Sequence, residues 1–124
     1  MIDSVQNSLG FQTEALKLRA ARQQVLASNI ANAETPGYKA QDFNFARALE
    51  QATSPRVAPA AASAPRPFID SLRIEARPGV ASPDGNTVNM DTERTQFVDN
   101  ALRYEAALRF LNGKIRTLMS AIQG

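Results

Sequence analysis

The strongest periodic pattern in the sequence lies in residues 97–122, FVDNALRYEAALRFLNGKIRTLMSAI. Apolar residues recur there at alternating separations of four and three, which is the a/d pattern of a helix packed along another helix. We therefore predict a C-terminal heptad helix within residues 87–124. Its seam consists of Phe97, Ala101, Tyr104, Leu108, Leu111, Ile115, Leu118 and Ile122.

The ends of this helix carry charges of the favourable sign. Asp91, Thr92 and Glu93 supply hydrogen-bond acceptors and negative charge where the helix begins. Lys114 and Arg116 lie toward its end, where positive charge interacts favourably with the helix dipole. The charge pattern thus supports the same helix as the apolar pattern.

A second long helix is predicted in residues 1–33, and its apolar residues fall on two faces at about 100° per residue. A helix that is apolar on two sides needs neighbours on both. One face contains Ile2, Val5, Leu9, Leu16, Ala20, Ala27 and Ile30, and the nearly opposite face contains Phe11, Leu18 and Val25.

The middle of the chain has a different composition. Residues 34–49 form a turn motif and connector, and residues 50–86 hold six of the seven prolines together with many alanines. Proline removes a backbone donor and disfavours helix in the residue before it, so the segment 50–86 is predicted to be flexible or irregular. Alternating apolar and charged residues in 68–77 give a weak indication of one short strand.

Together these segments predict a mainly α fold, an elongated antiparallel helical hairpin or coiled coil with an irregular Pro/Ala-rich middle. A helix of thirty residues is roughly 45 Å long. A compact domain of this size has a radius of gyration of only about 14 Å, so the helices cannot fit inside one. The alternative is a small compact bundle whose helices break at Gly10 and Gly113.

Composition excludes several classes of function. The 124 residues include no cysteine and no histidine, so disulfides, thiolate nucleophiles and the usual zinc or copper ligand sets cannot form. A net charge of +2 gives no strong field for nucleic acid or anionic lipid. No stretch approaches the roughly 20 apolar residues that a spanning helix needs, so we also expect no insertion into a membrane. The carboxylate pairs Asp91/Glu93 and Asp70/Glu75 are the remaining candidates for catalysis. Residues i and i+2 of a helix point to different sides, so Asp91 and Glu93 would not converge as an acid/base pair. We therefore expect no enzyme, cofactor, metal or small-molecule substrate.

The most distinctive local motif is SNIANAETPGYK, residues 28–39. Asn29 and Asn32 can hydrogen-bond nearby backbone in competition with the helix. Pro36 and Gly37 suit the two central positions of a type II turn. Spacing alone therefore predicts a helix end followed by a turn, without a bound ligand.

The run LASNIANAETPGY, residues 26–38, resembles the N-terminal signature of the bacterial flagellar rod, hook and hook-associated proteins. Two later runs, DGNTVNMDTERTQF at 84–97 and LRFLNGKIRTLM at 108–119, resemble the proximal rod members of this axial family. The longer distal rod and hook members carry inserted β domains, for which 124 residues leave no room.

The resemblance implies a structural subunit of the proximal rod of the flagellar basal body, which polymerises by helix packing into the shaft that transmits torque and encloses the export channel. Implied partners are copies of itself, other rod subunits, the adaptor between the rod and the MS ring, and the flagellar type III export apparatus. Export would proceed without a cleavable signal peptide to the periplasm-spanning rod. The motif residues implied to shape the bend and a subunit interface are Asn29, Ile30, Asn32, Thr35, Pro36, Gly37 and Tyr38.

Two other interpretations remain open on the sequence. A generic coiled-coil adaptor explains the seam of the C-terminal helix equally well, although it leaves the motif at 28–39 unexplained. Another rod protein of the same axial family is the second. Whichever rod protein this is, the apolar seam and the faces of the N-terminal helix are predicted to form the subunit interface.

Overall fold

The computed structural model describes residues 2–53 and 80–124. Three helices lie in these ranges: α1, Ile2–Ala31; α2, Phe45–Thr53; and α3, Met90–Gln123. Hydrogen bonds from α3 to α1 join Lys114 to Ser8 near one end and Glu93 to Asn29 near the other. The two long helices are therefore antiparallel, and the predicted mainly α hairpin is confirmed. Both helices run unbroken through Gly10 and Gly113, so the compact-bundle alternative is wrong.

The short helix α2 covers one side of α1. Its buried alanines, Ala48 and Ala52, pack with Phe43 against Leu18 and Val25 of α1. Leu18 and Val25 thus have the second neighbour that the two-faced pattern requires. Phe11, predicted on the same face, is 45% exposed. Phe11 is not part of the buried cluster that α2 forms with Leu18 and Val25.

The sequence analysis missed α2, which lies across the predicted boundary between residues 49 and 50. A clear pattern was present, because Phe45, Ala48, Leu49 and Ala52 occupy positions i, i+3, i+4 and i+7 of one helical face. The side chain of Asn44 accepts a hydrogen bond from the backbone N–H of Arg47 at 3.1 Å and caps the helix start. The Pro/Ala tract and the strand predicted at 68–77 lie outside the described residues.

The orientation of α3 differs from the predicted seam. Ile115 and Ile122 were expected against the partner helix, yet they are 41% and 85% exposed. Glu93 and Asn100 are instead the fully buried residues of α3. Their side chains hydrogen-bond to α1, and these bonds turn a partly polar row of α3 inward. Ala101 and Leu108 of the same predicted row are half-buried, so the difference is confined to its last two residues.

No helix in residues 2–53 and 80–124 is long and apolar enough to cross a membrane. The helices are amphipathic rather than uniformly apolar, with charged residues spaced throughout α3. Their apolar residues face a neighbouring helix or form stripes on the surface.

Truncating a leucine tests how strongly α1 and α2 hold together. We expect Leu18→Ala to lower the free energy of unfolding by about 2–5 kcal/mol, because it leaves a cavity in the buried cluster between the two helices. Leu102→Ala is the matched control, since Leu102 is 65% exposed on α3, and it should change stability by less than about 0.5 kcal/mol. Urea unfolding followed by circular dichroism measures both. Equal losses would contradict the assigned core.

Candidate functional site

The site is the junction where α1 ends and the chain leading into α3 returns to it, formed by residues 28–41 and 82–93. Asn32 begins the turn after α1. Its backbone N–H and its side-chain amide both donate to the carbonyl of Ser28, at 3.0 and 2.8 Å. The Thr35 hydroxyl donates to Oδ1 of Asn32 at 3.1 Å. The side chain of Asn32 thereby takes part in ending the helix and in shaping the turn that follows.

The next turn, Thr35 to Tyr38, has the geometry that the Pro-Gly pair predicts. The N–H of Tyr38 donates to the carbonyl of Thr35 at 3.2 Å, and Gly37 has a φ of 74°. A positive φ at the third position of a type II turn favours glycine. The N–H of Gly37 then donates to the carbonyl of Asp84 at 2.9 Å, which ties the turn to the segment before α3.

Gly85 lies directly against this turn and also has a positive φ, 85°. A Cβ atom added at Gly85 would stand 3.5 Å from the Cα of Gly37. The ammonium group of Lys39 donates to the carbonyl of Gly85 at 2.6 Å, which closes the contact from the other side. That distance is an ordinary van der Waals contact, so the positive φ, and not a lack of space, is what favours glycine at both positions.

Asn86 binds the turn that follows α1. Its buried amide group donates to three backbone carbonyls, those of Asn32, Ala33 and Thr35, at 2.8 to 3.0 Å. Its Oδ1 atom accepts from the N–H of Val88 at 2.8 Å. All three carbonyls come after Ala31, the last residue of α1, so this one side chain supplies donors to the backbone of the turn.

Asn29 is the centre of the junction and is fully buried. Its amide nitrogen donates to the carbonyl of Gln41 at 2.6 Å and to the Glu93 carboxylate at 3.0 Å. Its Oδ1 accepts from the Tyr38 hydroxyl at 3.0 Å and from the Gln41 N–H at 2.9 Å. One side chain thus holds α1, the turn, the connector and α3 together, with all four of its hydrogen bonds made.

Beyond the junction, charged and polar side chains of α1 also contact the connector and α3. The guanidinium group of Arg22 forms two hydrogen bonds with the Asp42 carboxylate, at 3.1 and 3.2 Å, and a third with Gln96 at 2.8 Å. The guanidinium group of Arg19 stacks 3.7 Å from the centre of the Phe45 ring. Burial there lowers the pKa of Arg19, with further lowering from the nearby charges of Arg103 and Arg22.

The loop before Asn86 is held by Asp84. The Ser82 hydroxyl and the N–H of Asn86 both donate to its carboxylate. The Ser82 bond is the largest cause that holds the pKa of Asp84 below its usual range, followed by the Asn86 bond. A lowered pKa means that this loop loses support only as the pH falls through that lowered value.

The structure brings together five of the seven predicted motif residues: Asn29, Asn32, Thr35, Gly37 and Tyr38. Ile30 is half-buried on α1, and Pro36 is exposed in the turn. The predicted seam residues lie away from the junction along α1 and α3. Leu16 is buried, Leu9, Phe97, Ala101, Tyr104, Leu108, Leu111 and Leu118 are half-buried, and Phe11, Ile115 and Ile122 are exposed.

Sequence reasoning missed three residues on which this arrangement depends. Asn86 carried no assigned role, and Glu93 was assigned only to the helix start, although the observed cap is Asn89. Asn100 was not considered because it lies beside the apolar seam. The available signal was the spacing of seven that places Glu93 and Asn100 on one row of the helix.

The junction has the chemistry of a structural joint. In the described part of the chain, every buried side-chain nitrogen and oxygen has a hydrogen-bond partner. Within the same residues, no group of three or more acidic side chains could hold a metal ion. A site with its polar groups already paired to one another fixes geometry and leaves no free donors for a ligand.

A different surface lies at the opposite end of the hairpin, where an open groove separates the first turns of α1 from α3. Its volume is about 620 Å³, and most of its lining is apolar. Val5 and Leu9 of α1 form one wall, and Phe110 and Leu118 of α3 form the other. Lys114 reaches across its edge to the Ser8 hydroxyl at 2.8 Å.

Comparison with known proteins identifies the same region of the chain. Residues 9–39, which include most of α1 and the turn of the junction, match the family model described as "Flagella basal body rod protein". The whole chain is similar to curated proteins named "Flagellar basal body rod protein FlgB". The relative from Escherichia coli is 44% identical over 99% of this chain and 98% of its own length. Those from Yersinia enterocolitica and Salmonella typhimurium are 44% and 43% identical, with coverage of 98% or more of each chain.

A charge placed at the centre of the junction tests its role. We expect Asn29→Asp to lower the free energy of unfolding by about 3 kcal/mol or more at neutral pH, because it opposes two buried carboxyl groups. One of the two must take up a proton on folding, so the loss grows as the pH rises above about 4. The double variant Asn29→Asp, Glu93→Gln restores the hydrogen bond between positions 29 and 93 but leaves the Gln41 carbonyl without its donor, so it should recover part of the loss. Urea unfolding at several pH values measures this, and equal losses in both variants would exclude the pairing.

The glycine of the turn, Gly37, can be compared with a glycine inside a helix, Gly10. We expect Gly37→Ala to destabilise the fold by about 1–2 kcal/mol, because an L-residue at positive φ is strained even where space is open. Gly10→Ala, inside α1 and equally unobstructed, should stabilise by about 0.5–1 kcal/mol. Thermal or urea unfolding of the two variants shows the sign of each change. A stabilising Gly37→Ala would contradict the left-handed turn.

Proposed function

We propose, from the premise that this chain belongs to the FlgB family of flagellar basal body rod proteins, that the exposed apolar faces of its hairpin pack against neighbouring rod subunits. The chain is a structural subunit of the flagellar rod, and its interactions are with other rod components. The proposal concerns which surfaces make those interactions and what the assembly does.

The observation that carries the proposal is the distribution of exposed apolar side chains. Large apolar residues are exposed at intervals along the whole of α3, and one more is exposed on α1, although each long helix already has a partner. Exposed apolar surface of this extent typically marks an interaction site. The residues are Phe11, Val98, Leu102, Phe110, Ile115, Met119 and Ile122.

These residues lie on more than one side of the hairpin. Ile115, Met119 and Ile122 form one stripe at positions i, i+4 and i+7 of α3, whereas Phe110 lines the groove beside Val5. Different surfaces that bind each other form head-to-tail contacts, and such contacts generate a helical filament when they do not close into a ring. This arrangement supports polymerisation of the subunit along the rod.

The junction supports a mechanical role in that assembly. A torque-bearing subunit needs two helices that keep their relative position under load. The bonds of Asn29, Glu93 and Asn86 connect four chain segments through buried side chains. We propose that the junction transmits torque between α1 and α3, and that assembled subunits enclose the export channel.

The proposal extends to location and partners. The subunit lies in the flagellar basal body. We propose that it spans part of the periplasm, contacts the adaptor between the rod and the MS ring, and reaches the rod through the flagellar type III apparatus without cleavage of a signal peptide. We propose no catalytic step, because the junction pairs its polar groups among themselves.

A substitution on the exposed stripe tests the assembly surface. We expect Met119→Asp, at a side chain 52% exposed in the isolated chain, to abolish swimming of a deletion strain that carries the variant gene. Electron microscopy should show basal bodies without a rod, because a buried unpaired charge would oppose subunit packing. Met119→Leu keeps volume and apolar character and should restore swimming, as the matched control. Normal rods with Met119→Asp would contradict the assignment of this surface.

A further inference from the structure

Helix α3 offers two different rows to α1. One row of four residues, Phe97, Tyr104, Leu111 and Leu118, faces α1 in either arrangement. The row three residues further along contains Asn100, Ala107, Lys114 and Ala121, and Glu93 precedes it on the same side of α3; because three of these five residues are polar, it is called the polar row. The row four residues further along is entirely apolar and contains Ala101, Leu108, Ile115 and Ile122.

The structure turns the polar row toward α1. The Asn100 amide donates to the carbonyl of Arg19 at 2.9 Å and to Oε1 of Gln23 at 2.8 Å. Lys114 is half-buried and donates to the Ser8 hydroxyl, while its neighbour Ile115 is 41% exposed. A lysine therefore occupies the interface beside an isoleucine that lies outside it.

This choice is opposite to the one that apolar burial favours. In a heptad repeat, the two alternative rows lie about 50° to either side of the shared row, so a rotation of α3 by roughly that angle exchanges them. Such a rotation would bury Ile115 in place of Lys114, whereas Ala107 and Leu108 are both half-buried in the observed rotation. Buried polar residues at seam positions are known to fix the register of helix pairs at a cost in stability.

We infer that Glu93, Asn100 and Lys114 select the rotation of α3 about its axis, and thereby keep Ile115 out of the interface within the chain. Their hydrogen bonds to Asn29, Arg19, Gln23 and Ser8 can form only when the polar row faces α1. They are positioning residues, because they act through the face that they leave exposed. Use of that face by a neighbouring rod subunit rests on the proposed function.

This choice of rotation explains why apolar residues of α3 stay exposed instead of packing against α1 of the same chain. A chain that packed all its apolar rows internally would have little apolar surface left on α3 for a second subunit. Ile115 belongs to the stripe of Met119, and its exposure depends on the observed rotation. The polar row thus provides specificity at the expense of stability within the isolated chain.

Cysteine labelling measures the rotation directly, because the natural chain has no cysteine. Ile115→Cys is made in the full chain, with and without Asn100→Leu and Lys114→Leu, and its labelling by a maleimide is timed. We expect the two leucines to slow labelling at position 115 by about tenfold or more, because the apolar row turns inward. Ala107→Cys should show the opposite change and label faster.

Two controls separate rotation from general disruption. Ala106→Cys lies on the exposed outer side of α3 and should label at the same rate in both backgrounds. If the double variant does not fold, Lys114→Leu alone is measured in its place, because it removes no bond from a buried backbone carbonyl. It should slow labelling at position 115 and speed labelling at position 107, each by a smaller factor. Unchanged rates at 115 and 107 in a folded variant would overturn the inference.

The proposed function is tested separately by swimming of cells that carry the Asn100→Leu, Lys114→Leu chain. Loss of swimming together with slower labelling at 115 supports both the rotation and its use in assembly. Slower labelling with normal swimming leaves the rotation standing and contradicts the proposed use of the stripe. Unchanged labelling overturns the rotation whatever the cells do.

Discussion

The contact between Asn29 and Glu93 is the interaction on which the rest of the structure depends. It is buried, it joins residues 64 positions apart in the chain, and it links the end of α1 to the beginning of α3. A buried carboxylate is tolerated only where donors surround it, so the turn and connector must close around this pair. The antiparallel position of the two long helices follows from that closure.

The hairpin then divides into two parts with different chemistry. Near the junction, buried polar groups are fully paired, and α2 covers the Leu18 face of α1. Toward the other end, the helices are joined by half-buried apolar residues and bordered by an open groove. A subunit of a rod needs both features, because the first fixes its own shape and the second leaves surface for its neighbours.

The polar row of α3 connects these two parts. Glu93 makes a polar contact with α1 at the junction, Asn100 makes the next one along α3, and Lys114 makes one at the groove. Lys114 lies in the interface, while its apolar neighbour Ile115 is exposed. The stability of the single chain and the surface available to an assembly are therefore set by the same side chains.

The sequence by itself determined the two long helices and the Pro-Gly turn, because helical periodicity and the conformational preferences of proline and glycine act locally. It also contained the motif that indicated the axial family. Only the tertiary structure decided that Glu93 and Asn100 of α3 are buried against α1, that Asn86 binds the turn after α1, and that Phe11 is exposed. These features depend on hydrogen bonds between residues distant in sequence, and an apolar pattern cannot reveal which buried polar group will find a partner.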